Sequence, residues 1–162
     1  MNLKYTLLRN TSIFSSLDDK ALEVIFSDAA IVTVAPGDYF FRQWEQGRCM
    51  YVLENGHCRV HISWTNREVQ LSRLGPGDCF GEIALIDSSP RSASVQADTL
   101  CTAIEISSTN LKKLRGLYLE QYVIVQENIA KELCKRLRSA DVNRMMMAES
   151  RTGNVDIELP WP

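Results

Sequence analysis

The apolar positions change period twice along the chain, which divides it into three zones. Leu17, Ala21, Leu22, Ile25 and Phe26 recur at helical spacing. Ser16 is placed as the N-cap, with Asp18 and Asp19 in a first turn whose dipole favours carboxylates. From about residue 30 to 107 the pattern shortens to β-rich runs at 31–34, 39–41, 50–53, 58–64, 69–74 and 100–106. Pro36-Gly37, Gly47, Asn55-Gly56, Gly75-Pro76-Gly77 and Pro90 punctuate them. Strands recurring about every 8–12 residues between turn signals predict an antiparallel sandwich or barrel. Asn55-Gly56, set between two strand-like runs, predicts a hairpin.

After residue 107 the helical period returns. Ser107-Ser108 caps a predicted helix over 109–115, which Gly116 ends, and 117–149 contains neither Gly nor Pro. Leu119, Val123, Gln126, Ala130, Leu133, Leu137 and Ala140 recur there at 3.5-residue spacing, while Tyr122, Val125 and Ile129 widen the stripe on one side. A 3.5-residue seam favours a partner helix and a wider stripe favours the chain's own core. We therefore expect one flank to face the barrel and the seam to face another subunit, the rival being a helix packed wholly within its own chain. The predicted architecture is mainly β with flanking helices: N-terminal helices, a small antiparallel barrel and a long C-terminal helix. Residues 1–149 form one domain, with the barrel over about 30–107 and the C-terminal helices over about 109–149. Residues 150–162, with Gly153, Pro160 and Pro162, are expected to be a flexible tail too short for a helix-turn-helix.

Composition narrows the function classes. The chain has 162 residues, a formal charge of −2 and 45% hydrophobic residues, so it is globular and carries no overall basic field to recruit nucleic acid. Direct DNA binding is not expected. The five cysteines are odd in number and contain no CxxC, which argues against a disulfide framework or zinc site and for buried thiols. No apolar run reaches the roughly 18 residues of a membrane span, and a cytoplasmic protein is expected. His57 and His61, the only two histidines, suggest a metal pair of the kind used by barrel enzymes, but no third ligand follows at suitable spacing. No catalytic constellation emerges, and the expected protein is not an enzyme.

The candidate chemistry lies in residues 80–95. Gly75-Pro76-Gly77 turns the chain into a short strand ending at Phe80, and Gly81 permits a backbone conformation closed to residues with a Cβ. Glu82 to Ile86 suits a single helical turn, whose unpaired Ile83 and Ala84 N–H groups suit an anion. Arg91, nine residues beyond Glu82, presents the planar fork that pairs bidentately with phosphate oxygens. Glu82 would repel a phosphate, so it is expected on the far side of the turn, accepting from sugar hydroxyls. The competing reading of Glu82 and Arg91 is an ordinary surface ion pair.

Phe80-Gly81-Glu82-Ile83-Ala84-Leu85 and Pro90-Arg91-Ser92-Ala93 resemble the phosphate-binding cassette of cyclic-nucleotide-binding domains, the family of catabolite activators and cAMP-dependent kinase regulatory subunits. Gly37, Phe41, Gly47, Met50-Tyr51-Val52 and Gly56 also fall on the family's barrel pattern, so the resemblance covers roughly residues 10 to 140. It implies an antiparallel, jelly-roll-like β-roll flanked by helices, with Glu82 on the ribose hydroxyl, Arg91 on the cyclic phosphate and backbone groups of Gly81, Ile83 and Ala84 around that phosphate. Ser92 follows the arginine at a position that does not separate cAMP from cGMP in this family. Leu71 and Arg136 are candidate base contacts, Arg136 because it aligns with the position from which catabolite activators touch adenine. The implied function is a cyclic mononucleotide sensor, with cAMP favoured over cGMP and no cofactor. Occupancy would be relayed through the C-terminal helix to a homodimer interface or an unknown protein effector, since no effector domain is attached. The alternatives are a ligand-independent dimerisation module, a metal-dependent barrel enzyme, and a regulatory fragment of a transcription factor, kinase or channel.

Overall fold

In the computed structural model, residues 3–87 and 89–152 are described. Two helices, α1 (Leu3–Arg9) and α2 (Asp19–Ser27), lead into eight strands: β1 (Ala30–Val34), β2 (Tyr39–Phe41), β3 (Cys49–Asn55), β4 (Cys58–Trp64), β5 (Arg67–Leu74), β6 (Cys79–Phe80), β7 (Ser94–Ala97) and β8 (Cys101–Ser107). One turn of helix, α3 (Ile83–Ile86), interrupts them between β6 and β7, and α4 (Ser108–Leu117) and α5 (Leu119–Thr152) follow. The strands form two four-stranded sheets, ordered β1-β8-β3-β6 and β2-β7-β4-β5, with every pairing antiparallel. This is the antiparallel β architecture with flanking helices that the sequence pattern predicts, with the roll that the family resemblance implies.

Alternation along β3 shows why the roll holds together. Met50 and Val52 join Ile104 and Ile106 of β8 in a cluster with Phe14, Leu22, Ile25, Leu114, Val125 and Ile129 from the helical layer. Tyr51 and Leu53 point the other way, into a second cluster with Phe41, Phe80, Val95 and Ala103 between the sheets. Strand β3 is thus buried on both faces, which explains its unbroken apolar run over 50–53. Desolvation in these cores pushes the Cys58 and Cys79 thiols up to about 12, so both stay protonated near neutrality.

Several local expectations are corrected. Asn55-Gly56 does not close a hairpin, because β3 and β4 belong to different sheets. Gly56, at φ 88°, instead turns the corner between them. The tight hairpin is β4–β5, where Trp64 pairs with Arg67 and Thr65 takes the left-handed conformation at φ 55°. The cap of α2 is Asp18 rather than Ser16: its carboxylate accepts from the Ala21 N–H at 2.8 Å, adding charge to the dipole. Gly116 does not end α4. The buried Leu114 anchors that turn, and its carbonyl accepts from the Tyr118 N–H at 2.7 Å one residue past the helix. At the far end α5 runs to Thr152, into the segment expected as tail, while residues 153–162 of that segment lie outside the described residues. No helix among the described residues is long and apolar enough to cross a membrane.

The first half of α5 carries its buried residues. Val125 and Ile129 are fully buried, and Asn128 donates to the Ile13 carbonyl at 3.1 Å. Beyond Leu133 nearly every described side chain is exposed. Of the 3.5-residue seam, Leu119, Val123, Ala130, Leu137 and Ala140 are exposed, and Gln126 and Leu133 are half-buried.

Candidate functional site

Strand β6 delivers the chain to Gly81, which sits at φ 80°. A Cβ there would lie 2.7 Å from Arg91 Nη1 and 3.2 Å from the Phe41 ring, so glycine is required both by conformation and by the guanidinium's approach. Glu82 follows as the N-cap of α3 in a right-handed conformation, without using its side chain as a cap. That frees the carboxylate to turn inward, where it is fully buried. The Ala84 N–H returns to the Gly81 carbonyl at 3.3 Å and the Leu85 N–H to Glu82 at 2.9 Å, which makes the turn rigid. Ile83 and Ala84 are half-buried, and Ser88 lies outside the described residues.

Arg91 re-enters the molecule opposite this turn and is only 6% exposed. The loop between β2 and β3 grips its backbone: the Arg91 N–H donates to Glu45 at 2.8 Å and its carbonyl accepts from Trp44 at 2.9 Å. Its guanidinium lies 3.9 Å over the Phe41 ring. Nη1 donates to the Gly81 carbonyl at 2.9 Å and Nη2 to the Cys49 carbonyl at 2.8 Å, while buried Nε has no partner. Gly47 lies against the same guanidinium, where any side chain would overlap it. Ser92, next in the chain, is exposed.

Glu82 and Arg91 are therefore brought to one site but do not pair with each other. The Glu82 Oε1 accepts instead from Arg136 Nη1 of α5 at 2.6 Å, and Oε2 is buried without a partner. Arg136 also donates through Nη2 to the Cys79 carbonyl at 3.0 Å. Arg91 has no carboxylate partner among the described residues. This excludes the ordinary surface ion pair: two buried opposite charges each keep an unmet polar atom. Leu71, the other candidate base contact, lies 56% exposed on edge strand β5.

Sequence reasoning missed the contacts that place Arg91 and Glu82. Phe41 and Gly47 were visible as part of a barrel pattern, but the Cys49 carbonyl, the Glu45–Trp44 grip and the Arg136 contact arise from segments 42 to 54 residues away. Only Gly47, an isolated glycine between strands, carried a readable signal. The two histidines separate: His57 is exposed ahead of β4, and His61 is buried within it, 3.5 Å from Glu68. Among the described residues no group of three or more His, Cys, Asp or Glu is arranged to hold a metal ion.

Comparison with known proteins fits this geometry. Residues 31–116 match the family model of the cyclic nucleotide-binding domain. The chain is 30% identical over 120 residues to the potassium/sodium hyperpolarization-activated cyclic nucleotide-gated channel 1 of Homo sapiens, which covers 74% of this chain but only 13% of the channel. Among solved structures, the Thermus thermophilus catabolite activator protein superposes with a TM-score of 0.73 at 26% identity, covering 85% of this chain and 63% of that one. The regulatory domain of Toxoplasma gondii PKA, crystallised with cAMP, superposes at 0.65 and 26% identity, covering 68% of this chain and 42% of that one. With more than half of its residues matched by the family model and its cassette folded as described, the chain belongs to the cyclic nucleotide-binding domain family.

Proposed function

We propose that this chain is a non-enzymatic sensor of a cyclic mononucleotide, cAMP in preference to cGMP. The observation that carries this reading is the pair of buried, mutually unpaired charges, Glu82 and Arg91, held on either side of one rigid turn. Arg91 has five N–H donors, and its bonds to Gly81 and Cys49 fix the plane of the fork. Nε, which has no partner among the described residues, is left to meet an oxygen of a cyclic phosphate, joined there by the Ile83 N–H. The phosphate binds without desolvating the guanidinium anew, because the protein has already buried it. Glu82, across the turn, accepts from the ribose hydroxyl through Oε2. Gly81 and Ala84 shape the turn, and Ser92 flanks the phosphate arginine. Leu71 offers an apolar edge to the base.

Occupancy is relayed as a population shift. A ligand that binds better when α5 is docked over the site favours that state by the difference in affinity between the two states. The catabolite activator and kinase relatives, and the cAMP crystallised with the latter, support cAMP as the ligand. The output runs either to a second copy through the exposed seam of α5 or to an unidentified protein effector. DNA is not contacted directly. A ligand-independent dimerisation module is the second reading, favoured by the apolar seam that α5 leaves uncovered.

Calorimetric titration with cAMP and cGMP separates these readings. Wild-type protein is expected to bind cAMP more tightly than cGMP, and Arg91→Ala to lose tens- to thousands-fold in affinity, as removal of one buried charged partner costs about 2–5 kcal/mol. Equal affinity of the two proteins would refute the phosphate site. No heat with either nucleotide from a folded dimer would leave the dimerisation module standing.

A further inference from the structure

Arg136 approaches the site from α5, and it does so in an unusual way. A guanidinium and a carboxylate that serve only each other form a two-bond fork. Here the fork is split: Nη1 takes Glu82 Oε1 at 2.6 Å and Nη2 takes the Cys79 carbonyl at 3.0 Å. The second carboxylate oxygen stays buried and empty-handed, although the Glu82 side chain is only 1% exposed. Burying a carboxylate oxygen without a donor is costly, so its orientation needs a cause and invites a donor. Arg136 is the cause, because its hold on the β6 carbonyl fixes where its other nitrogen can meet Glu82. Oε2 is thereby kept on the side that Arg136 does not occupy.

We infer that Arg136 is a positioning residue that fixes Glu82 for a ribose 2′-hydroxyl and thereby ties α5 to the sugar rather than to the base. The inference rests on the cyclic-nucleotide reading above. It makes the 2′-hydroxyl the group that helix α5 senses: with the hydroxyl on Oε2 the carboxylate is locked for Arg136, and with Arg136 on Oε1 it is locked for the hydroxyl. Linkage makes the two effects equal. Were Arg136 a competitor that blocks the empty site, it would occupy both oxygens and leave when ligand entered.

The test uses the full chain, with cAMP and 2′-deoxy-cAMP as paired probes. Wild type is expected to prefer cAMP by about tenfold or more, the scale of one buried charged hydrogen bond. Arg136→Met keeps the apolar stem without the donors, and its preference should shrink several-fold, chiefly through weaker cAMP binding. Arg136→Lys, which reaches Glu82 but cannot bridge to Cys79, should fall between the two. Amide hydrogen exchange provides a separate readout: in wild type, residues 130–142 should slow with cAMP and much less with 2′-deoxy-cAMP. An unchanged preference in Arg136→Met, or tighter binding of both nucleotides as expected on removing a competitor, would overturn the inference while leaving the cyclic-nucleotide reading intact. Failure of wild type to bind cAMP would overturn both.

Discussion

Trp44 occupies a backbone conformation at φ 73°, in the left-handed region that favours glycine, and its side chain is 64% exposed. Such a residue costs on the order of 1–3 kcal/mol and persists only where its surroundings hold it. The holding contacts are visible: its N–H bonds to Arg91, and Arg42 on one side bonds to Glu45 on the other. The loop thus spends conformational energy to grip the backbone of Arg91. Trp44→Gly should relieve the strain, and even after glycine's larger entropy in the unfolded chain is counted, stability should rise by about 1 kcal/mol. A urea midpoint measured for both proteins checks this, and a lower midpoint would mean that the indole packs more than its exposure suggests. At this scale the sequence was informative where chemistry needs a particular residue type. Glu82, Arg91 and Gly81 could be read from their order and spacing, because a carboxylate, a fork and a left-handed turn have few substitutes. The bonds of Arg136 to Glu82 and Cys79 could not be read, because alignment gives a position on a helix but not the direction of a long side chain.

Helix α4 shows how elements are joined by single side chains. Ser107 and Asn110 form a reciprocal capping box, with Asn110 Oδ1 accepting from the Ser107 N–H at 2.8 Å and Ser107 Oγ accepting from the Asn110 N–H at 3.2 Å. Buried Asn110 does a second job, since its Nδ2 donates to the Ile25 carbonyl in the last turn of α2 at 3.2 Å. That carbonyl is one of the end groups a helix cannot satisfy internally. Ser107→Ala should therefore cost about 1 kcal/mol, whereas Asn110→Ala should cost about 2–3 kcal/mol because it also strands a buried acceptor. Equal losses in chemical denaturation would show that the α2 contact contributes nothing. The strands were legible wherever alternation or a continuous apolar run reflects burial. Asn55-Gly56 misled because a left-handed turn serves a sheet-to-sheet corner as well as a hairpin, and the choice depends on which strands pair. Strand β7, four residues with two serine or glutamine positions, offered too short a pattern.

At the scale of the molecule, α5 joins two environments. Its first half completes the core behind the first sheet through Val125 and Ile129, while beyond Arg136 its described side chains are nearly all exposed. An isolated helix of this kind is marginal in water, since helices draw most of their stability from packing an apolar face. The sequence showed the stripe and the seam as two periodicities, but only the fold separates them: the wider stripe is covered by the chain's own core, and Leu119, Val123, Ala130, Leu137 and Ala140 are not. A second α5 is the occupant whose spacing fits, because a 3.5-residue repeat is the period of two helices wound on each other. We therefore expect a dimer in solution by light scattering coupled to size exclusion. Val123→Glu with Leu137→Glu should give a monomer, since like charges brought face to face in a seam repel and lose their water. Both positions lie outside the residues that contact Glu82 and Arg91, so cAMP binding by the variant should still be lost on Arg91→Ala, even if the helix beyond Leu137 frays and ellipticity at about 222 nm falls. A wild-type monomer, or a variant that remains dimeric, would remove the second copy as the listener and leave a different protein to be found for this helix.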